Sequence, residues 1–578
     1  MSGPPRSPSE EQPASVDTRA RSPWLRALPR STGWDVLLWV AALGTTLVLQ
    51  WPWLVLYLDI RYTFGAFQVA GQAGLADSDV FIHRPLAHKL LMSWLDRSVT
   101  GPTILRERLA VGVALVFSAI VGAALARALR GWLPPVSATA VGLATFTALA
   151  WAPAVTMLQP EWIATLLAAA AVSSALAGDP RRPASWHSPL VLAAAFLLAL
   201  ATLQKYTTVT TAVVALGVVF LLHRRRAIWV AGWTVVVTAA LFGSSLLASH
   251  EWQWFLEVPR LNPPGDIAWP SMWRSAWNLA LLNPVLLFAP AFVILGFRAT
   301  RRREWLIGPA LALAVVLAGV IVQRGFFPYH YAALPVLAAG LVTVAGALWW
   351  RRAGTVPHPA LVALVWMVVA GWLVRRPFPW RVDHVEWVVA GAACAMVVSI
   401  GLAVGQALSR RDREARSSTR SPRIVLTFLV LVAVGSFSAW PHAPYALYLT
   451  HVNRSSEVDK RDRAIESGQA IREAAGGASA VYLARQDVPY FVGLPTRCRY
   501  PTATFLYRSA RTTDPLSLRS VQENLACLRD RDARFLVLQP AMLDRSRAVQ
   551  VVRDTVATEF DCDDPTLRTG DLLLCPRR

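Results

Sequence analysis

Lysine is nearly absent. Lys89, Lys205 and Lys460 are the only three in 578 residues, so the formal charge of +21 rests almost wholly on arginine. The arginine and alanine bias carries the stamp of a GC-rich bacterial genome and says little about function. Charge of either sign is scarce, at 16% of residues against 54% apolar, which excludes an ordinary soluble protein over this length. The basicity does not point to nucleic acid, because the arginines sit in short clusters between apolar runs instead of forming a basic face. A P-loop, a GxGxxG after a strand, an HExxH and a serine nucleophile elbow are also missing, which argues against coupling to ATP within the chain. Charge in the middle of the apolar runs and an internal repeat are lacking too. A transporter or lipid flippase, the first rival reading, would show both.

What the chain does have is apolar length. Crossing roughly 30 Å of hydrocarbon takes about 20 apolar residues. Runs that qualify lie near 35–56, 109–129, 134–152, 156–177, 188–204, 207–222, 227–247, 278–297, 305–322, 331–349, 358–374, 385–408 and 423–440. The expected fold class is an α-helical polytopic membrane protein of about thirteen transmembrane helices. Arg127 and Arg130, Arg181 and Arg182, residues 224–226, Arg298 with 301–303, Arg351 and Arg352, and Arg410 with Arg411 fall in every second loop. The basic N-terminal tail joins that side, and the positive-inside rule makes it the cytoplasm. The 134–152 and 156–177 pair has so short a connection that one re-entrant hairpin is the alternative; later topology would not change. Residues 1–33, rich in Pro, Ser and Arg, should be a disordered cytoplasmic tail and not a cleaved signal. The expected location is the bacterial plasma (inner) membrane, with a transmembrane module at 34–440 and an extracytoplasmic domain at 441–578.

The loops on the outer side differ in kind. Residues 57–108 and 248–277 are long and rich in Trp, Pro, His and carboxylates, and shorter ones around 323–330 and 375–384 carry His and Arg. Within the first, Leu86, Leu90, Leu91, Trp94 and Leu95 have helical spacing that suits a helix lying in the interface plane. From 441 onward apolar density falls, and helix (463–475, 516–529) alternates with strand (478–483, 534–539), which reads as a small α/β domain. Cys498, Cys527, Cys562 and Cys575 all lie there. Two disulfides suit an oxidising compartment, and of the three connectivities we expect Cys498–Cys527 with Cys562–Cys575. A metal site is the weaker alternative, since no CxxC or clustered His accompanies them. Cys394, within an apolar run, should only pack.

The segment from Tyr57 to Arg84 reads YLDIRYTFGAFQVAGQAGLADSDVFIHR. Asp59 stands just past the first apolar run, where a carboxylate is costly unless it serves a partner or a cavity. The bland reading is a solvated carboxylate paired with Arg61. The D-x-x-Y at 59–62, the Gly-containing stretch and the aromatic-x-x-Arg-Pro-Leu at 81–86 resemble the GT-C superfamily of membrane glycosyltransferases. More narrowly, they resemble its polyprenyl-phosphate-mannose-dependent mannosyltransferases. That family usually continues with Y-x-P-P where this chain has His83, Arg84 and Pro85, which leaves sugar and acceptor open.

The resemblance implies inverting transfer of a sugar (mannose or another hexose or pentose) from a polyprenyl-phosphate-linked donor to a cell-envelope glycan or lipid acceptor at the outer face of the bilayer. It implies Asp59 as general base, and Lys205, His330 and Arg84 as contacts to the donor phosphate. Tyr62, Glu161 and Arg324 are acceptor or secondary candidates, with Arg260 a weaker cation. Each has a structural alternative: Lys205 could snorkel, Arg84 could pair with Asp79, and Glu161 could simply suit a helix start. The aromatic stretch 251–273 suits sugar stacking, a lid or an interfacial belt. Asp77-Ser78-Asp79 matches the metal-chelating DxD only superficially and is better read as a turn. No metal ligands are assigned, and a divalent metal is left open as a cofactor. The remaining rivals are a non-catalytic receptor and an O-antigen-type polymerase.

Overall fold

The computed structural model describes residues 32–177, 185–248, 250–261, 269–324, 326–409, 441–444, 446–449 and 452–578. The tail up to residue 31, the run 423–440, and the pairs Arg181/Arg182 and Arg410/Arg411 lie outside the described residues. Thr32–Gln50 (α1) is followed by the two helices of the first long loop, Leu58–Gln72 (α2) and Leu86–Ser98 (α3). Thr103–Leu129 (α4), Pro135–Trp151 (α5), Pro160–Leu176 (α6), Pro189–Thr202 (α7), Val209–Leu222 (α8) and Arg224–Leu247 (α9) then form a bundle. Glu251–Leu261 (α10), Trp269–Leu282 (α11), Pro284–Thr300 (α12), Glu304–Gln323 (α13), Ala333–Ala353 (α14), His358–Val374 (α15), Phe378–Asp383 (α16) and Val385–Leu408 (α17) complete the helical part.

Six of these helices are long and apolar enough to cross a membrane, and five more are shorter but apolar. The protein is therefore a multi-pass membrane protein, and its apolar helices carry exposed leucines and valines such as Val235, Leu311, Val368 and Val397, as lipid contact requires. Proline opens α5, α6, α7 and α12, where its missing N–H costs nothing. Helices α4 and α5 approach closely because Gly122 has no side chain: a Cβ there would stand 2.8 Å from the carbonyl oxygen of Gly142.

Three expectations need correction. The run 278–297 is not one straight span: α11 and α12 meet at an 86° bend. Pro284 cannot donate to the preceding turn, and Asn283 turns its amide onto the Leu279 carbonyl at 2.8 Å. The loop 248–277 is largely helical, as α10 and the start of α11. Cys394 is exposed on α17 rather than packed inside. Helix α3 buries His88, Lys89, Met92, Ser93, Leu95 and Asp96, and turns Leu90 and Trp94 outward, the side-chain split of a helix at a membrane boundary.

The C-terminal unit begins with Arg454–Ala474 (α18), nine residues earlier than the hydrophobic pattern suggested. Its start is a capping box: Ser456 N–H donates to Asn453 Oδ1 at 2.8 Å, and Asn453 N–H to Ser456 Oγ at 3.0 Å. Ala480–Leu483 (β1), Phe535–Leu538 (β2), Leu567–Thr569 (β3) and Leu572–Pro576 (β4) form one sheet in the order β1-β2-β4-β3. The pair β1/β2 is parallel and the others antiparallel. The β3–β4 hairpin had gone unread, although Gly570 (φ +58°) followed by Asp571 is its turn signal. Cys498 is bonded to Cys527, and Cys562 to Cys575.

This unit is packed onto α2. The Thr496 N–H donates to the Val69 carbonyl at 3.0 Å, and the Phe81 N–H to that of Arg499 at 2.7 Å. Gly65 lets the two surfaces meet, since a Cβ there would lie 2.5 Å from the Tyr490 nitrogen. Beneath the contact Arg61 reaches Glu107 at 2.8 Å and Glu457 at 3.6 Å, and Arg461 reaches Glu107 at 3.7 Å, all of them buried. The expected Asp59–Arg61 pair is thus replaced, because these buried carboxylates claim the Arg61 guanidinium.

Candidate active site

Asp59 is the second residue of α2, where the unsatisfied N–H groups of a helix start favour a carboxylate. Its side chain keeps 22% of its surface exposed and lies 3.7 Å from Arg84 Nη2. That partner replaces the Asp79 alternative. Arg84 is turned towards Asp59 by the backbone before it: His83 has φ +46°, a left-handed conformation rare for a residue with a side chain. Arg84 Nη1 also donates to the His83 carbonyl at 3.3 Å. The His83 ring stacks on Tyr62, with centroids 5.3 Å apart and Nδ1 3.4 Å from the hydroxyl. Tyr62 OH donates to the Phe81 carbonyl at 3.2 Å, so the network assigns the proton between the rings to His83 Nδ1. Thr502 and Thr504 of the C-terminal unit, bonded to each other at 2.9 Å, lie close to the same hydroxyl.

A second group of side chains comes from four chain segments. Lys205 sits in extended backbone in the break between α7 and α8. The break is held by Thr208, which accepts the Lys205 N–H at 3.3 Å and donates to the Ala201 carbonyl at 2.7 Å. Lys205 Nζ donates to Glu161 Oε1 and to Gln323 Oε1, both at 2.6 Å, and stands 3.5 Å from His330 Nε2. His330 Nε2 is in turn 3.6 Å from Glu161 Oε1. Glu161 opens α6, Gln323 ends α13, and His330 occupies the 3-10 turn Pro328–Tyr331 before α14.

The two groups border one another. Tyr329 lies in electrostatic range of Asp59, Glu161 and Arg84, and Arg84 in range of Glu161. Burial, then the cations Arg84, Arg508 and Lys205, hold His83 well below the ordinary histidine range, so it is neutral at pH 7. Burial and then Arg84 bring His88 down to about 4, against the opposing bond of its Nδ1 to Gln204 Oε1 at 3.0 Å. Burial pushes the Tyr62 phenol above its ordinary range. The region can therefore supply an accessible carboxylate, two cations from different segments and neutral rings between them.

Asp59, Arg84, Tyr62, Lys205, Glu161 and His330 are brought together; two other candidates are not. Arg324 caps α13 with φ +51° and an exposed side chain. Arg260 points to the C-terminal unit, donating to Ser517 Oγ at 3.1 Å. Asp77–Asp79 is a 3-10 turn whose Asp77 is bonded by Ser93 and Arg97. Among the described residues no group of three or more His, Cys, Asp or Glu is placed to hold a metal. His83, Gln204, Gln323, Tyr329 and the Thr502–Thr504 pair had not been singled out. Only His83 had a sequence signal, as the departure from the aromatic and proline usual there.

No family model matches the sequence, and no curated protein matches it. Among solved structures, a crystal structure of ArnT from Cupriavidus metallidurans bound to undecaprenyl phosphate shares the fold, with a TM-score of 0.55 at 18% identity. The match covers 94% of this chain and 98% of that one. The fold is thus shared with that structure over nearly the whole chain.

Proposed function

We propose that this protein is an inner-membrane glycosyltransferase that moves a sugar from a polyprenyl-phosphate donor to a hydroxyl of a cell-envelope glycan or glycolipid at the outer face. The observation that carries the reading is that the Asp59–Arg84 pair and the Lys205–Glu161–His330 group, drawn from five separate segments, lie within electrostatic range of one another. The fold shared with ArnT, whose structure holds undecaprenyl phosphate, supports a polyprenyl-phosphate donor.

In this mechanism Asp59 takes the proton of the acceptor hydroxyl as its oxygen attacks the anomeric carbon. The bond from that carbon to the phosphate oxygen breaks on the opposite face, which inverts the centre and releases polyprenyl phosphate. Arg84 and Lys205, with His330, offset the charge gathering on the departing phosphate. At 3.7 Å the Arg84–Asp59 pair is loose, so the guanidinium can turn to a phosphate without breaking a tight bidentate bond. Tyr62 and Glu161 serve as acceptor or secondary contacts. With the N-terminus cytoplasmic, the C-terminal unit and its disulfides would lie outside, where oxidation is favoured.

The test is turnover of undecaprenyl-phosphate sugars by the purified protein. Asp59→Asn should lose about 100-fold or more in rate at an unchanged melting temperature. Full turnover in that variant would remove the mechanism.

A further inference from the structure

Three polar atoms at the start of α6 have no partner among the described residues. Gln159 is fully buried, yet neither its Oε1 nor its Nε2 is hydrogen-bonded. Two residues on, Glu161 gives Oε1 to Lys205 and His330, while its Oε2 is buried and unbonded. Gln159 stands at the N-cap position of α6, but its side chain does not cap the helix. The backbone before it is bent sharply, with Leu158 at φ +69° and Ala154 at φ +50°. Buried unbonded polar atoms are costly to fold, and left-handed non-glycine residues add strain. A fold that holds such groups beside a chemical site holds them for something they are to bind.

We propose that Gln159 and the free oxygen of Glu161 form a hydroxyl-binding pair for the transferred sugar, a neutral pyranose with adjacent hydroxyls. The proposal rests on the glycosyl-transfer reading and refines the role of Glu161. A carboxylate oxygen only accepts, so it takes a hydroxyl proton; a primary amide both donates and accepts. Two neighbouring hydroxyls present that set. A phosphate does not, because Glu161 Oε2 would repel it, and the Glu161 charge is already met by Lys205, which disfavours a cationic group. A site built this way rejects an analogue lacking the bonded hydroxyl far more strongly than an apolar pocket could.

The test uses the full-length protein in nanodiscs, with melting temperature read against undecaprenyl phosphate and against undecaprenyl-phosphate mannose, glucose and galactose. Wild type should be stabilised by undecaprenyl phosphate and further by at least one of the sugar lipids. Gln159→Met, which removes the orphaned amide, should melt at or above wild type without ligand and keep the undecaprenyl-phosphate shift. It should lose the sugar increment, with the Kd of the sugar lipid raised ~10-fold or more. Retention of the increment in Gln159→Met overturns the proposal, as does its absence for every sugar in wild type. Failure of undecaprenyl phosphate itself to stabilise wild type overturns the functional reading and this proposal with it. Should Gln159→Met misfold, monodeoxy analogues of the preferred sugar lipid test the same point on wild type: one deoxy position should weaken binding ~10-fold or more, and uniform binding across the analogues overturns the pair.

Discussion

One oxygen of Glu161 meets both Lys205 and His330, and that crowding sets what substitutions there should do. Lys205→Met removes the cation proposed to meet the donor phosphate and leaves Glu161 buried beside a residue that cannot compensate it. It should cost about 100-fold in turnover and lower the melting temperature. Adding Glu161→Gln should restore the melting temperature but not the turnover, because the unpaired charge is gone while the phosphate cation is still missing. Recovery of turnover in the double variant would show that Lys205 acts only as a partner to Glu161. His88 offers a pH handle. Its folded value of about 4 lies below the ordinary histidine value of 6.5, so the folded state binds the proton less readily than the unfolded chain. Its contribution to stability is complete above about pH 6.5 and is lost as pH falls towards 4. Melting temperature against pH should therefore be flatter over that window in His88→Gln. The charged residues of this region were legible because ionisable groups are rare at helix ends in so apolar a chain. Their partners were not. Arg84 took the carboxylate expected for Arg61, and Arg61 went to Glu107 instead, since local spacing says nothing about which residues a folded loop brings alongside. Neutral Gln204 and Gln323 gave no signal at all.

At the scale of elements, α2 decides how the first loop meets the C-terminal unit, and two of its glycines make a matched pair. A Cβ at Gly65 would press on the Tyr490 backbone, whereas at Gly71 it would meet nothing within 4 Å. Gly65→Ala should destabilise by about 1–3 kcal/mol through overpacking. Gly71→Ala should be neutral or up to about 1 kcal/mol stabilising, because alanine favours helix over glycine. Equal melting temperatures for the two would argue against the tight contact. The apolar runs of the bundle were readable because lipid forces every spanning segment into an apolar helix. The bend between α11 and α12 was not, since the run stays apolar across Asn283 and only Pro284 marks the break. Helix α18 was shortened in the same way: its first turns bury Arg454 and Arg461, whose charge hides them from any hydrophobic pattern. Arg454 is satisfied by Gln50 Oε1 at 3.0 Å and the Ala154 carbonyl, neither of them near in sequence.

Taken whole, the molecule is a membrane bundle with the C-terminal unit packed onto it, and a buried ionic cluster is part of the tie between them. Glu107 of α4 faces both Arg61 of α2 and Arg461 of α18, and none of the three is accessible to water. Glu107→Gln should cost about 3–5 kcal/mol, the range found when one member of a buried ion pair is removed. Limited proteolysis should then cut near residue 452 more readily than in wild type; unchanged stability and cleavage would mean that apolar packing alone holds the unit. The polytopic helical architecture could be seen in the sequence from its apolar runs and the polar segments between them. The docking of the C-terminal unit could not, because the residues of α2 that receive it read as loop. The most direct measurement is a cryo-EM structure of the protein with undecaprenyl phosphate. The phosphate is expected within hydrogen-bonding reach of Arg84 and Lys205, with Asp59 facing the same space. A phosphate bound elsewhere, with Lys205 still held by Glu161 and Gln323 and Arg84 still beside Asp59, would contradict the mechanism.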